Sequence, residues 1–207
     1  MPYSADLGSK GLSRHALACV TSNAQPGAGA PERRIVPIYA LDDRVPQIDS
    51  HAFVHPDAVV IGSVVIGPES TVWPTAVLRG DSGRIIVGAQ TSIQDGTVVH
   101  CTEQLDTVIG DRCVVGHRVH LEGCTIEDDC LVGSGSIVLH RAVIRRGALV
   151  GAAALVTNGT EVPPGALAMG IPARITPDAA PADLIAHGVA TYVANSHRYL
   201  AGLRRLD

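Results

Sequence analysis

From Val54 onward, a large aliphatic residue returns at every sixth position: Val54, Val60, Ile66, Val72 and Leu78, then Val87, Ile93 and Val99, then Ile109, Val115 and Leu121. After one five-residue step the series continues through Ile126, Val132, Val138, Ile144, Val150 and Val156. Four positions after these residues stand small or β-branched ones: Ala58, Val64, Ser70, Ala76, Thr91, Thr97, Cys113, Val119, Thr125, Cys130, Ser136, Ala142, Ala148 and Ala154. A helix repeats its apolar positions near 3.6 and a lone strand repeats them every two. A period of six fits neither alone. It predicts an all-β solenoid of short strands with tight corners. The long aliphatic points into a triangular core and the small residue fits the crowded corner. Three hexapeptides complete a coil, and coils stack at strand spacing, about 4.8 Å. Each coil bonds mainly to its neighbours, so stability is a sum of neighbour terms.

The period stops at 162–174 (VPPGALAMGIPAR), where Pro and Gly should take the chain out of the solenoid. Residues 45–175 are therefore read as the β-helix domain and 178–206 as a C-terminal helix packed on it. Pro181 suits a first helical position and Asp183 a first turn. Leu184, Ile185, Tyr192, Val193, Tyr199, Leu200 and Leu203 roughly mark the apolar side. Residues 1–34 are small and polar and read as a disordered tail without a secretory signal.

Composition narrows the picture. Aromatics are 3% of 207 residues against 46% apolar, so the core must be aliphatic. A net charge of −4 gives no basic footprint for nucleic acid, and no apolar run reaches membrane-span length. Five cysteines, an odd number in β-rich sequence, suit buried thiols in a cytoplasmic protein. Cys113 and Cys130 occupy equivalent slots on adjacent coils and are expected as packed thiols.

The register also stacks polar side chains. Leu78, Val99 and Leu121 begin hexapeptides on one face, so Arg79, His100 and Glu122 form one outward column. Ile93 and Val115 share a neighbouring face, so Asp95 lies one coil from His117, with Gln94 beside it. Asp81 stands two residues beyond Arg79. Cation, imidazole and carboxylate thus gather in the middle coils. His140, His187 and His197 lie off the columns and receive no role.

Two stretches resemble the γ-class carbonic anhydrases. They are 72–100, with its Arg-Gly-Asp, Gln-Asp-Gly and terminal His, and VGHRVHLEGC at 115–124. The resemblance covers roughly 45–175. It implies a left-handed parallel β-helix and a homotrimer with metal sites at the subunit interfaces. Zinc, or iron or cobalt, would be the metal, and CO2 and bicarbonate the substrates. It implies His100 and His117 as metal ligands. Arg79 and Asp81 would form an interface ion pair. Gln94 and Asp95 would line the site, and Tyr192 would stand near it. The third ligand departs from the pattern, because position 122 is Glu where the family has His. Glu122 as ligand, His120 in its place, and loss of the metal are all open. Glu103 and Asp106 are the acidic residues of the loop 101–108. Three functions follow: reversible CO2 hydration, CoA-dependent acyl transfer as in other hexapeptide proteins, or a catalytically inactive metal-binding scaffold.

Overall fold

The computed structural model describes residues 37–207; the tail expected at 1–34 lies outside them. Among the described residues twenty strands run from Ile38–Tyr39 to Arg174–Thr176, most only two or three residues long, and the helix Ala182–Gly202 follows. The strands wind a left-handed parallel β-helix. The eleven-residue strand Val77–Val87 pairs with Val98–His100 through its first part and with Thr107–Ile109 through its last. It therefore carries the chain round a corner and joins two faces of the triangle in one 12-stranded sheet, the third face being 8-stranded. Apart from an isolated antiparallel bridge between Leu41 and Arg44, pairing is parallel except at the end, where Arg174–Thr176 folds back antiparallel on Leu167–Met169.

The core is the aliphatic series. From Val60 to Val156 every member is at most 1% exposed, and only Val54, at the first coil, is half-buried. One corner slot differs from the expected pattern. Cys124, 1% exposed, takes the position read for Thr125, which is half-buried at the start of the strand Thr125–Ile126. The five-residue step shortens that turn by one, and the corner falls one residue earlier. Cys101, Cys113, Cys124 and Cys130 are buried free thiols. Burial pushes the Cys124 thiol up to about 12.

The helix begins at Ala182 rather than 178, because Asp178 turns back at φ 51 and Ala180 N–H bonds to Gly165 O. Pro181 is the residue before the first turn, not in it. The helix packs on Phe53–Val54, Thr71–Val72 and Val114–Val115 of the 8-stranded sheet. Its inner stripe is Ile185, Val189, Tyr192, Ser196 and Tyr199, at alternating steps of four and three; Leu184 and Leu200 face solvent. The single Trp and single Phe of the sequence lie in this seam. Trp73 meets Tyr199 at 4.9 Å and Tyr192 at 5.8 Å between ring centroids, and Phe53 meets Tyr199 at 5.5 Å. The indole N–H donates to Thr71 Oγ1 at 2.9 Å and Ser92 Oγ at 3.0 Å, so its burial leaves no donor unpaired. Among the described residues no helix is long and apolar enough to cross a membrane.

Candidate metal centre

Adjacent coils pair Arg79 with His100 and His100 with Glu122, as the register predicts. Odd and even positions of a strand point to opposite sides. With Leu78, Val99 and Leu121 in the core, the residues after them must face out. The polar contacts are short. His100 Nδ1 meets Glu122 Oε1 at 2.7 Å, and His100 Nε2 meets Asp81 Oδ1 at 3.0 Å. Asp81 also accepts from Arg79 Nη1. His100 thus stands between two carboxylates. Its side chain is 18% exposed, Glu122's 23% and Asp81's 25%.

Burial raises the Glu122 carboxyl, but the hydrogen bond and charge of His100, helped by His140 and His120, outweigh it and leave it below the ordinary carboxylate value. Asp81 follows the same balance: burial raises it, and His100 and Arg79 together lower it further. Both are carboxylates at neutral pH. Gly80, between Arg79 and Asp81, is needed for close coil packing. A Cβ there would stand 2.6 Å from Ser63 O, and one on Gly62, at φ +76, only 2.3 Å from Gly80 O.

A second cluster lies on the 8-stranded sheet, away from the first. Asp95 and His117 each stand two residues after the paired Ile93 and Val115. Asp95 Oδ2 meets His117 Nδ1 at 2.9 Å. Arg118, at φ 55, donates its N–H to Asp95 O at 2.9 Å and so fixes the corner that carries His117. Gln94, 4% exposed, lies beside the Tyr192 phenol. Burial, then the Asp95 charge, raise the Tyr192 pKa against the lowering effect of Gln94, so this phenol is a proton donor at neutral pH.

The sequence-predicted residues therefore fall into two groups. Arg79, Asp81, His100 and Glu122 meet on one face; Gln94, Asp95, His117 and Tyr192 meet on another. Within one chain the two groups do not meet. Among the described residues no set of three His, Cys, Asp or Glu side chains stands arranged to hold an ion. The donor chemistry nonetheless suits one. Asp95 on Nδ1 leaves Nε2 of His117 free, and a carboxylate behind the far ring nitrogen is the usual support of a metal-binding His. His100 would have to release one carboxylate to take an ion, and metal binding of this kind displaces a proton.

Two neighbours escaped the sequence reading or entered it only as a substitute. His120 Nε2 is 3.4 Å and His140 Nε2 is 3.6 Å from Glu122 Oε2. His140, assigned no role from sequence, stands one coil beyond Gly123, whose own turn is one residue short; with no side chain at Gly123 its ring lies over that turn, next to Glu122. Asp106 is tied to Arg84, accepting from its backbone N–H at 2.8 Å and from Nε at 3.0 Å. Glu103 is exposed and accepts from the Gln104 amide. A groove of about 690 Å³ lies along the helix between Ala186, Val189, Ala190 and Val193 and the corner residues Gln90 and Arg112. None of the candidate site residues lines it.

Known proteins share this arrangement of chain. Residues 106–140 match the bacterial transferase hexapeptide family (six repeats). The chain is 42% identical over 136 residues to the carnitine operon protein CaiE of Escherichia coli K12, covering 66% of this chain and 69% of that protein. It is 44% identical over 138 residues to "Gamma carbonic anhydrase 2, mitochondrial" of Arabidopsis thaliana, covering 64% of this chain. The chain belongs to the γ-class carbonic anhydrase family of hexapeptide-repeat proteins. It spans about half the length of the plant relatives it matches. Among solved structures, a hexapeptide transferase family protein from Anaplasma phagocytophilum superposes with a TM-score of 0.76 at 38% identity. That match covers 81% of this chain and 99% of the other.

Proposed function

We propose that this chain is the subunit of a metal-dependent enzyme for the reversible hydration of CO2 to bicarbonate and a proton. The observation that carries the reading is the pair of half-sites on different faces. His100 with Glu122 is one half, and His117 backed by Asp95 is the other. In a homotrimer, the half-sites of neighbouring subunits would complete one another at each interface. His100, Glu122 and His117 would then hold zinc, or iron or cobalt, as a His₂Glu set with an open position. A metal there supplies a Lewis acid that lowers the pKa of a water toward 7.

The protein's own groups have separate tasks. Gln94, buried beside Tyr192, presents its amide to orient an oxygen of substrate or product. Tyr192 holds its proton and serves as a donor. Asp95 holds the His117 ring with Nε2 outward. Arg79 and Asp81 form the ion pair at the mouth, and Asp81 steadies His100 through Nε2. The four buried free thiols support a cytoplasmic setting.

The test is metal content per subunit in the wild type and in Glu122→Ala, followed by stopped-flow CO2 hydration. Near-stoichiometric zinc, lost in the variant, together with hydration activity supports the reading. Metal-free, inactive wild type refutes it and favours an inactive scaffold. CoA-dependent acyl transfer is the second reading, favoured by the transferase description of the Anaplasma relative. Saturable acetyl-CoA binding by calorimetry would support it.

A further inference from the structure

Glu122 is surrounded by more imidazole than one ligand position requires. Oε1 faces His100 Nδ1 at 2.7 Å. The other oxygen, Oε2, has His120 Nε2 at 3.4 Å and His140 Nε2 at 3.6 Å. The His140 nitrogen is buried and has no hydrogen-bond partner within bonding distance. Such a nitrogen costs free energy unless something recovers it on function.

The surrounding structure makes room for both rings. Gly123 holds φ +59, and a Cβ there would stand 3.0 Å from His140 Cδ2 and 3.0 Å from Leu105 Cβ. Any other residue would push the His140 ring away from Glu122. His120 is paired with Val98 on one coil and Ile137 on the next, both outward-facing and 39% exposed. An aliphatic side chain would continue that ladder. The imidazole at 120 interrupts it and reaches the carboxylate two residues on.

We propose that His120 and His140 are positioning residues for Glu122. They bracket Oε2 and hold the carboxylate so that it offers a single oxygen, Oε1, on the His100 side. The proposal rests on the reading of Glu122 as a metal ligand. A carboxylate free to turn binds an ion through both oxygens and fills an extra coordination position. A bracketed one binds through one oxygen and keeps the four-coordinate arrangement, with its open position, that zinc hydrolytic chemistry uses. Neither His touches the reacting atoms. In this chain the replacement of an imidazole by Glu at 122 is thus accompanied by two imidazoles that restrict it.

The test uses the full-length protein in its native oligomer. Wild type, His120→Val, His140→Leu and His140→Gln are loaded with cobalt(II), and their visible spectra are read. Zinc affinity is measured beside them by competition with a chromophoric chelator. The wild type is expected to show the intense bands of four-coordinate cobalt. His120→Val and His140→Leu are expected to bind zinc about 10–100-fold more weakly, as for other supports of metal ligands. Their cobalt bands should fade toward those of five- or six-coordination. His140→Gln, which keeps an N–H donor, should recover most of the affinity and the spectrum. His120→Val matches the aliphatic ladder around it, so its folding is not at stake. Unchanged affinity and spectrum in His120→Val and His140→Leu, with a metal-binding wild type, overturns the positioning role alone. A wild type that binds neither metal overturns both this role and the metal reading of the site.

Discussion

Asp95→Ala separates a metal centre from a decorative surface pair. The substitution removes the carboxylate that lies 2.9 Å from His117 Nδ1. Both side chains are half-exposed, His117 at 52% and Asp95 at 46%, so solvent screens their attraction. In metal-free protein the pair should contribute only about 0.2–1 kcal/mol. If His117 holds an ion through Nε2, Asp95 also fixes the tautomer and ring orientation. Loss of such a support typically weakens metal binding about 10–100-fold, which is about 1.4–2.8 kcal/mol. Zinc bound to the folded state adds RT ln(1 + [L]/Kd) to its stability, so the zinc-dependent gain should shrink by the same amount. The assay is thermal unfolding of wild type and variant with chelator and with a fixed excess of zinc, alongside direct zinc competition. The expected result is nearly equal curves in chelator and a clear gap in zinc. An equal deficit in both conditions, or unchanged zinc affinity, would refute the assignment of His117.

Other expectations concern the scaffold. Leu121 is fully buried between the outward His120 and Glu122, so Leu121→Ala should cost about 2–5 kcal/mol, read as a lower urea midpoint at unchanged m-value. Gly80→Ala forces a Cβ to within 2.6 Å of a backbone oxygen; its yield of folded protein should fall sharply, whereas Ala at the open corner Gly159, with nothing within 4 Å, should cost only the strain of its φ of +69. The Cys124 thiol is raised from 9.0 to about 12 in the folded state, so it favours folding fully below pH 9 and this contribution is lost as pH climbs toward 12. The alkaline decline in unfolding free energy should therefore be shallower in Cys124→Ala, and an unchanged slope would exclude this thiol as a cause.

The solenoid was legible in the sequence because its determinant is local and repeated. Each aliphatic from Val60 to Val156 meets the same requirement, and one inward residue per six cannot be supplied by a helix or a flat sheet. The two columns were legible for the same reason: alternation along a strand and stacking between coils place Glu122 beside His100 by counting alone. What counting lost were the irregular steps. The short turn before Ile126 moved the corner from Thr125 to Cys124, and His140 lies over Gly123 next to Glu122. The helix face was harder still. Leu184 and Leu200 look apolar enough to be buried, but the stripe set by Ile185, Val189 and Ser196 turns them to solvent. Ser196 serves there because its hydroxyl donates back to Val193 O at 2.7 Å, leaving nothing polar unpaired.

The reversed strand Arg174–Thr176 has a consequence for the molecule as a polymer. A parallel solenoid is a template for its own extension: the last coil offers the same row of donors and acceptors that every earlier coil used, and a second molecule could continue it. Here the final rung of the 8-stranded sheet runs the opposite way, is three residues long and stands between Pro172 and Pro177. A following parallel coil does not find the direction it needs, and proline on either side removes the donors that would lengthen the rung. One face of the fold that most resembles the start of a fibre is thus closed by one short hairpin.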